Sequence, residues 1–453
     1  MALIDKASLL MVPSTYEAGK LYNVLPSGNR APDNKGGAGY DQTRADFDFD
    51  RGSNAAATRI GSDGLLKKYQ ENLATYSNDF SNASYVKVNA SLSKNATDYI
   101  GDANNAWTFT KSAANGQFFK QVTYSGVNTF SIYAKSGSLN WLRLYVDGGG
   151  AEAFFDLQNG AIGTTSANNI DATIASVGND WYRCSVSCTS VTYVNAYPAD
   201  SDGVISGTSG NILISFNQVE SGLVATDVLT SGATTGKAGV LVDLPRINYD
   251  ANGENGALLL EPSRQQLFQF SEYFGGSYWT NTNSSVINNS IVSADGFSNG
   301  IKLLDNAVNS YHLIESSAVS ATIGSEYTLS VFAKAGEKSI LQICFDNNDV
   351  TGNPRANFDL QNGVKGSVSS GITASIEDYG NGWYRCSAKA TSAVTSLIGI
   401  FAIVDATTAT RIQTYLGNGT DGLYLFGAQA EAGSYVSSYI PNHGESGGVT
   451  RAA

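Results

Sequence analysis

A motif that occurs twice is the feature that most limits how this chain can fold. Residues 155–160 read Phe-Asp-Leu-Gln-Asn-Gly, and after a variable insert residues 178–185 read Gly-Asn-Asp-Trp-Tyr-Arg-Cys-Ser. The same pattern returns at 358–363 and at 380–387. The copies are about 200 residues apart, far beyond the 20–50-residue period of solenoid repeats. The spacing therefore indicates two duplicated domains.

Three further blocks repeat in the same order around this motif. The segments 72–80, 129–137 and 217–222 match 266–274, 328–336 and 428–433, respectively. We therefore predict five regions: an N-terminal attachment and oligomerisation segment 1–70, a first β-sandwich module 71–232, an apolar connector 233–264, a second β-sandwich module 265–445 and a C-terminal tail 446–453.

Composition and periodicity indicate the fold class. Charged residues make up 15% of the chain, and glycine and tyrosine are abundant, which favours strands and tight turns over helices. We predict an all-β protein with two tandem jelly-roll β-sandwich modules. One strand shows the pattern well. Its core row is Leu142, Leu144 and Val146, its opposite row is Trp141, Arg143 and Tyr145, and the second copy keeps Leu341, Ile343 and Phe345 but changes the opposite row to Ile340, Gln342 and Cys344.

The repeat predicts different roles for the two faces of this strand. The retained apolar row must be core, and the altered row must be a surface that each module uses differently. The segment before the modules has few apolar runs, so we expect it to become ordered against partner subunits. The connector carries enough apolar residues to pack against the modules.

Charge and cysteine content exclude several partners. The formal net charge of −12 disfavours nucleic acid and anionic lipid, because both need clustered Lys and Arg. No apolar run is long enough to cross a membrane, and the first residues lack the pattern of a secretory signal. We therefore expect any release from the cell to use another route, such as lysis. Four cysteines, Cys184, Cys188, Cys344 and Cys386, are predicted to be small, buried and unpaired, as in a reducing cytoplasm.

The repeated motifs resemble those of virion proteins from tailed bacteriophages. The resemblance is carried by Asn-Leu-x-x-Tyr-Ser-x-Asp-Phe at 72–80, Phe-Ser-Ile-Tyr-Ala-Lys at 130–135, the duplicated motif, the link 244–262 and the closing segment 423–441. It extends from about residue 40 to the end. The first module departs from the pattern after residue 222, where Leu-Val-Ala-Thr-Asp replaces the Ser-Tyr-Ile-Pro closure.

The resemblance implies a role and partners. Such proteins are tail-fibre, spike or head-fibre components with carbohydrate-binding-like jelly rolls. It implies a homotrimer that attaches to capsid or tail proteins through residues 1–70, contacts cell-surface glycans, and lies on the virion surface after assembly in the host bacterial cytoplasm. We therefore predict a non-enzymatic virion protein. The alternatives are a purely architectural capsid or tail protein and a polysaccharide-degrading spike.

Candidate binding residues lie on the altered row of the first module. Sugar rings stack on aromatic faces, and flanking side chains bond to the hydroxyl groups. Trp141, Arg143 and Tyr145 offer such a surface, and we expect Tyr133 and Lys135 to add to it from a neighbouring strand. Burial of this face against another subunit is the alternative, because interfaces favour the same residue types.

Two Trp–Arg pairs have a structural interpretation. Trp181 with Arg183, and Trp383 with Arg385, have the same spacing in both modules. We interpret them as stabilising cation–π pairs.

Catalytic and metal motifs are weak in this sequence. The two histidines, His312 and His443, occur in unrelated contexts, so no catalytic triad or zinc site is predicted. Carboxylate pairs for glycoside hydrolysis are left open, because sequence does not measure their separation. Jelly rolls can hold a structural Ca²⁺ between loop oxygens, but no Asp-x-Asp-x-Asp-Gly loop identifies a site, and we predict no cofactor.

Overall fold

The chain is all-β in the computed structural model. The structure describes residues 56–242, 244–346, 349–350 and 352–452, together with the backbone of two short paired strands. The described residues contain no helix of the length and apolarity needed to span a membrane. The strands as far as the start of the connector are β1 (Lys20–Leu21), β2 (Phe47–Asp48), β3 (Arg59–Ile60), β4 (Leu66–Lys67), β5 (Tyr69–Asn72), β6 (Tyr85–Val88), β7 (Ala90–Ala96), β8 (Ala106–Lys111), β9 (Gln117–Ser136), β10 (Trp141–Gly148), β11 (Ala151–Asp156), β12 (Ala161–Thr165), β13 (Asp171–Gly178), β14 (Trp181–Ala199), β15 (Asn211–Ser221) and β16 (Gly236–Gly239).

The rest of the chain has the same character. Its strands are β17 (Ile247–Asn248), β18 (Ala257–Leu258), β19 (Arg264–Gln266), β20 (Trp279–Thr282), β21 (Ser284–Ile291), β22 (Gly300–Asp305), β23 (Asn309–Ser310), β24 (His312–Ser316), β25 (Val319–Ser320), β26 (Glu326–Lys334), β27 (Ile340–Phe345), β28 (Arg355–Asp359), β29 (Val364–Val368), β30 (Thr373–Asp378), β31 (Trp383–Thr391), β32 (Ser396–Leu397), β33 (Gly399–Val404), β34 (Tyr415–Leu416), β35 (Gly422–Ala432) and β36 (Val449–Arg451).

The second sandwich consists of two six-stranded antiparallel sheets. One, the front sheet, has the order β20-β24-β33-β27-β28-β29, and the other, the back sheet, has the order β21-β22-β35-β26-β31-β30. In chain order, the inner four strands of the two sheets pass from one sheet to the other and form two Greek keys. This connectivity is that of a jelly roll.

The first sandwich has the same strand order, but two long strands join its sheets. β9 and β14 pair along most of their length, with register shifts near Cys188 and Val191. The first half of β9 and the second half of β14 belong to the front sheet, β6-β9-β14-β10-β11-β12, and their other halves belong to the back sheet, β7-β8-β15-β9-β14-β13. β9 and β14 are 20 and 19 residues long, because each passes from one sheet into the other.

Both sandwiches enclose a continuous apolar core. In the first, residues of β10 pack in one cluster with residues of β8 and β15 from the opposite sheet. The predicted core rows are confirmed, since all six side chains are fully buried. Burying each such side chain contributes about 1.5–3 kcal/mol. These rows are Leu142, Leu144 and Val146 in the first sandwich and Leu341, Ile343 and Phe345 in the second.

The duplicated motif forms the same turn in both sandwiches. Asp156 accepts hydrogen bonds from the backbone N–H groups of residues 158 and 159, at 2.9 and 3.1 Å, and Asp359 repeats this at 3.0 and 3.1 Å. Gly160 has a φ of 67°, and a Cβ there would lie 2.7 Å from the Tyr182 ring. The Phe-Asp-Leu-Gln-Asn-Gly and Trp-Tyr-Arg segments therefore repeat together because they pack against each other.

The start of the described chain packs on the second sandwich. Ile60 and Leu66 join an apolar cluster with Phe332 and Trp383 on the outer side of the back sheet. Lys68 places its Nζ 2.9 Å from Glu272 and 2.7 Å from Asp295. We expected residues 1–70 to become ordered against partner subunits. Residues 56–70 instead pack against the back sheet of the same chain, because that sheet offers them an apolar face. The predicted attachment role of 1–55 lies outside the residues whose side chains are described.

The connector and the C-terminal segment are held by strand pairing and ion pairs. β36 pairs with β19, and the buried Arg451 guanidinium lies 3.2 Å from Glu261. Val240 of the connector is buried, whereas Leu260 is 78% exposed. The connector therefore packs only in part, and the predicted region boundaries stay predictions.

All four cysteines are buried and unpaired. Burial raises the pKa of the Cys184 and Cys386 thiols well above the usual value.

Candidate functional site

Six aromatic side chains lie on the outer side of the front sheet of the first sandwich. We call this surface the aromatic face. Alternation places it opposite the core row, because Leu142, Leu144 and Val146 point inward and their neighbours in sequence point outward. Its residues are Phe119, Trp141, Tyr145, Phe154, Tyr193 and Tyr197, arranged around Arg143.

Arg143 lies at the centre of the aromatic face. Its guanidinium carbon is 4.5 Å from the ring centroid of Tyr197, 4.9 Å from that of Tyr145 and 5.9 Å from that of Phe154. One Nη donates a hydrogen bond to Glu152 at 3.0 Å. Strand pairing causes this grouping, since Phe154 and Tyr197 are the direct partners of Arg143 on β11 and β14.

Partly exposed aromatic rings flank this centre. Trp141 lies against β12, where a Cβ on Gly163 would be only 2.7 Å from the indole. Tyr193 contacts Phe119 edge-on at 5.8 Å. Neighbouring strands lie about 4.8 Å apart, so the face spans about 14 Å from β11 to β9.

The polar atoms on this face are only partly used. Gln117 Oε1 and Arg143 Nε have no hydrogen-bond partner among the described residues. Asn195 donates to the backbone oxygen of Tyr145 at 3.2 Å and to Asp147 at 3.3 Å. Burial, with the nearby Asp147 carboxylate, raises the pKa of Tyr145, so its hydroxyl is a neutral donor at neutral pH. The face thus combines aromatic rings with polar side chains, although the two unpartnered atoms are themselves buried.

The loop 200–210 borders the aromatic face without covering it. The buried Lys111 ammonium lies 3.0 Å from both carboxylate oxygens of Asp200. Asp202 accepts two hydrogen bonds from Thr164, one from the backbone nitrogen at 2.7 Å and one from the hydroxyl at 3.1 Å. These two anchors hold the loop beside β12, next to Trp141.

The matching face of the second sandwich is covered by the chain itself. Gln342 stands where Arg143 stands, paired with Asn357 in place of Phe154 and with Ala402 in place of Tyr197. The segment 405–413 lies over this row. Gln342 donates to the Thr410 oxygen at 3.0 Å and accepts from the Ile412 nitrogen at 2.7 Å. The altered row was predicted to be a surface in both modules, and this is wrong for Ile340, Gln342 and Cys344, which are buried.

The structure separates two of the predicted binding residues from the other three. Tyr133 and Lys135 lie on the half of β9 that belongs to the back sheet, where they pair with β15. Tyr133 stacks on Tyr99 at 4.1 Å, and Lys135 donates to the Asn179 backbone oxygen at 2.7 Å. Placing them beside Trp141 was wrong, because alternation within a strand does not reveal which sheet the strand joins.

The predicted Trp–Arg stacks are also corrected. Arg183 lies over Tyr133 at 5.4 Å and Arg385 over Phe332 at 5.2 Å, while Trp181 and Trp383 pack in apolar clusters beside them. Each guanidinium donates to a serine hydroxyl of the adjacent strand, at 3.1 Å for Arg183 and 3.3 Å for Arg385. The aromatic partner comes from that strand because it lies directly opposite in register.

Sequence reasoning missed several residues of the aromatic face. Glu152 and Phe154 alternate with core residues in β11, so their outward direction was readable from the sequence. Their position beside Arg143 was not, because it depends on strand pairing. Within the described ranges, no group of three or more His, Cys, Asp or Glu side chains is placed to hold a metal ion.

The chain has only weak structural similarity to the solved structures named below. No protein-family model matches the chain, and neither does any curated protein. Among solved structures, the tandem CBM22-1–CBM22-2 domain of Paenibacillus barcinonensis Xyn10C is 12% identical, covering 84% of this chain and 99% of that chain with a TM-score of 0.24. An anti-sigma factor domain-containing protein is 11% identical, with coverages of 85% and 99% and a TM-score of 0.15. At such TM-scores neither similarity bears on the function of this chain.

Proposed function

We propose that the first sandwich binds a glycan on its aromatic face and does not cleave it. The observation that carries this proposal is that Trp141, Arg143 and Tyr145 are partly exposed in one copy of the duplicated fold, whereas their counterparts Ile340, Gln342 and Cys344 are buried in the other. Its partly exposed aromatic rings and the polar side chains beside them are the groups that sugar recognition needs, since rings stack on the apolar side of a pyranose and polar groups bond to its hydroxyls.

The shape of the face favours a chain of several sugars. It is about 14 Å wide across the strands, which is more than one monosaccharide covers. Arg143 is held by Glu152 and its three aromatic neighbours, so its orientation is set before binding. Preorganisation of this kind reduces the entropy lost when a ligand binds.

The carboxylates on this face are engaged in structural contacts. Glu152 is paired with Arg143, and Asp202 with Thr164. A glycosidase needs one carboxylic acid and one carboxylate on either side of the scissile bond. We therefore propose binding alone, and release of oligosaccharides from a bound polysaccharide would contradict this.

The experiment is affinity measurement on immobilised bacterial polysaccharides. We expect Trp141→Ala and Tyr145→Ala each to weaken retention by about tenfold or more, because stacking on one ring contributes on the order of 1–2 kcal/mol. The control is Tyr311→Ala, which removes an aromatic ring that is 39% exposed on the second sandwich. Equal retention of all three variants and the parent chain would overturn the proposal.

The same variants test the architectural alternative. If the aromatic face is an interface between subunits, Trp141→Ala lowers the assembled mass in light scattering, and no glycan is retained by the parent chain. The virion setting, the homotrimer, and the head or tail location are proposals that rest on the sequence resemblance. In that setting many weak sites on one particle act together through their effective concentration.

A further inference from the structure

A cavity of about 460 Å³ lies between the two sandwiches, away from the aromatic face. Its walls come from three parts of the chain: β5 and the corner of β9, the segment after β15, and the second sandwich with its C-terminal segment. This volume is in the range of small-molecule sites. Its principal polar and aromatic lining residues are Tyr69, Glu71, Tyr124, Glu272, Asn299 and Glu445.

Acidic groups outnumber basic groups in this cavity. Four carboxylates and one ammonium group, that of Lys68, line it. The ammonium is already bound by Glu272 and Asp295, and Glu220 lies 3.9 Å from Arg183. Glu71 is 3.9 Å from the half-exposed Lys237, and Glu445 lies in the exposed wall. The cavity therefore holds a surplus of negative charge.

A buried acceptor supports a ligand independently of this charge. Asn299 is only 2% exposed, and its Oδ1 has no hydrogen-bond partner within the described part of the chain. Its Nδ2 donates to Asp295 at 3.0 Å, which fixes the amide orientation. Leaving a buried polar atom without a partner is unfavourable, so a donor supplied by a ligand would be stabilised there.

The chemistry of the walls selects a class of ligand. Carboxylates and an amide oxygen accept hydrogen bonds, and the faces of Tyr69 and Tyr124 attract cations. The remaining titratable group is His443, where burial lowers the imidazole pKa and leaves the ring neutral at pH 7. The described residues form no cluster suited to a metal ion. We infer that this cavity binds a small organic cation carrying primary ammonium groups.

The test uses putrescine, with butanediol as a neutral probe of the same length. Calorimetry on the full chain at neutral pH should show one saturable putrescine site and no butanediol binding. Glu445→Gln and Tyr124→Ala should each weaken putrescine binding about tenfold. Neither side chain supports the core, since Glu445 is exposed and Tyr124 is 44% exposed.

Glu377→Gln is the matched control, because it removes an exposed carboxylate outside the cavity and changes the net charge equally. It should leave putrescine affinity unchanged. Equal binding of butanediol, equal weakening by Glu377→Gln, or no saturable putrescine binding would each overturn the inference. Thermal unfolding of every variant identifies any that is misfolded, and Tyr124→Leu then replaces Tyr124→Ala, because leucine fills more of the space of the ring but has no aromatic face and should weaken putrescine binding in the same way.

Discussion

The two front sheets share strand order and core but differ completely on their outer sides. In the first sandwich the row around Arg143 is aromatic and bordered by an anchored loop. In the second, Gln342 and Asn357 bond to the segment 405–413, which covers them. The inward rows are constrained by packing from both sheets, whereas the outward rows contact only the loop segments that lie next to them. Duplication therefore preserved a scaffold and allowed its outer surfaces to differ.

The largest expected effect tests whether the two cores are equivalent. Leu144→Ala and Ile343→Ala should each lower the free energy of unfolding by about 2–5 kcal/mol, because both side chains are fully buried and leave a cavity. Urea denaturation followed by fluorescence measures this. Leu260→Ala, at an exposed position, should change it by less than about 0.5 kcal/mol. Losses that differ strongly between Leu144→Ala and Ile343→Ala would show that the inward rows are not equivalent.

The next largest effect on stability distinguishes the outward row of the second sandwich from that of the first. Gln342→Leu should cost about 2–3 kcal/mol, because the Ile412 nitrogen and Asn357 lose a buried partner. It should also expose 405–413 to proteolysis. Arg143→Leu should cost only about 1 kcal/mol, since its ion pair and ring contacts are partly solvated. Equal costs would contradict the contrast between a covered and an open face.

A smaller effect concerns a lysine that only the first sandwich has. Lys120 pairs with Tyr85 in β6, and its position in the second sandwich is taken by Ser316. Its ammonium lies 4.4 Å from the Tyr85 ring and 2.7 Å from the Ser84 hydroxyl. Burial without a carboxylate partner lowers the pKa of Lys120 from 10.5 to about 8.

This lowered pKa predicts how stability depends on pH. Between about pH 8 and 10.5 the unfolded chain binds a proton that folded Lys120 has lost, so the group makes stability rise with pH. The difference in unfolding free energy between the parent chain and Lys120→Met should increase by about 2 kcal/mol across this range. Tyrosine titration contributes equally to the parent chain and to Lys120→Met, so it cancels in the difference between their unfolding free energies. A constant difference would mean that the ammonium is solvated.

Much of the scaffold was predictable from sequence. The duplicated motif implied two copies of one domain, and the alternation at Leu142, Leu144 and Val146 identified a core row, because strand geometry places every second side chain on one side. The grouping of Tyr133 with Trp141 failed, since no local pattern shows that β9 changes sheets. The pairing of Arg183 with Tyr133 was missed because it depends on the register between β14 and β9, which the sequence does not show.

By itself, the sequence determined the all-β class, the duplication and the inward rows, since these follow from local periodicity and from matching motifs along one chain. Only the tertiary structure decided which outward residues meet, that 405–413 covers one face, and that a cavity lies between the sandwiches. Those features depend on contacts between residues far apart in the chain, and strand pairing and loop placement create these contacts only once the chain has folded.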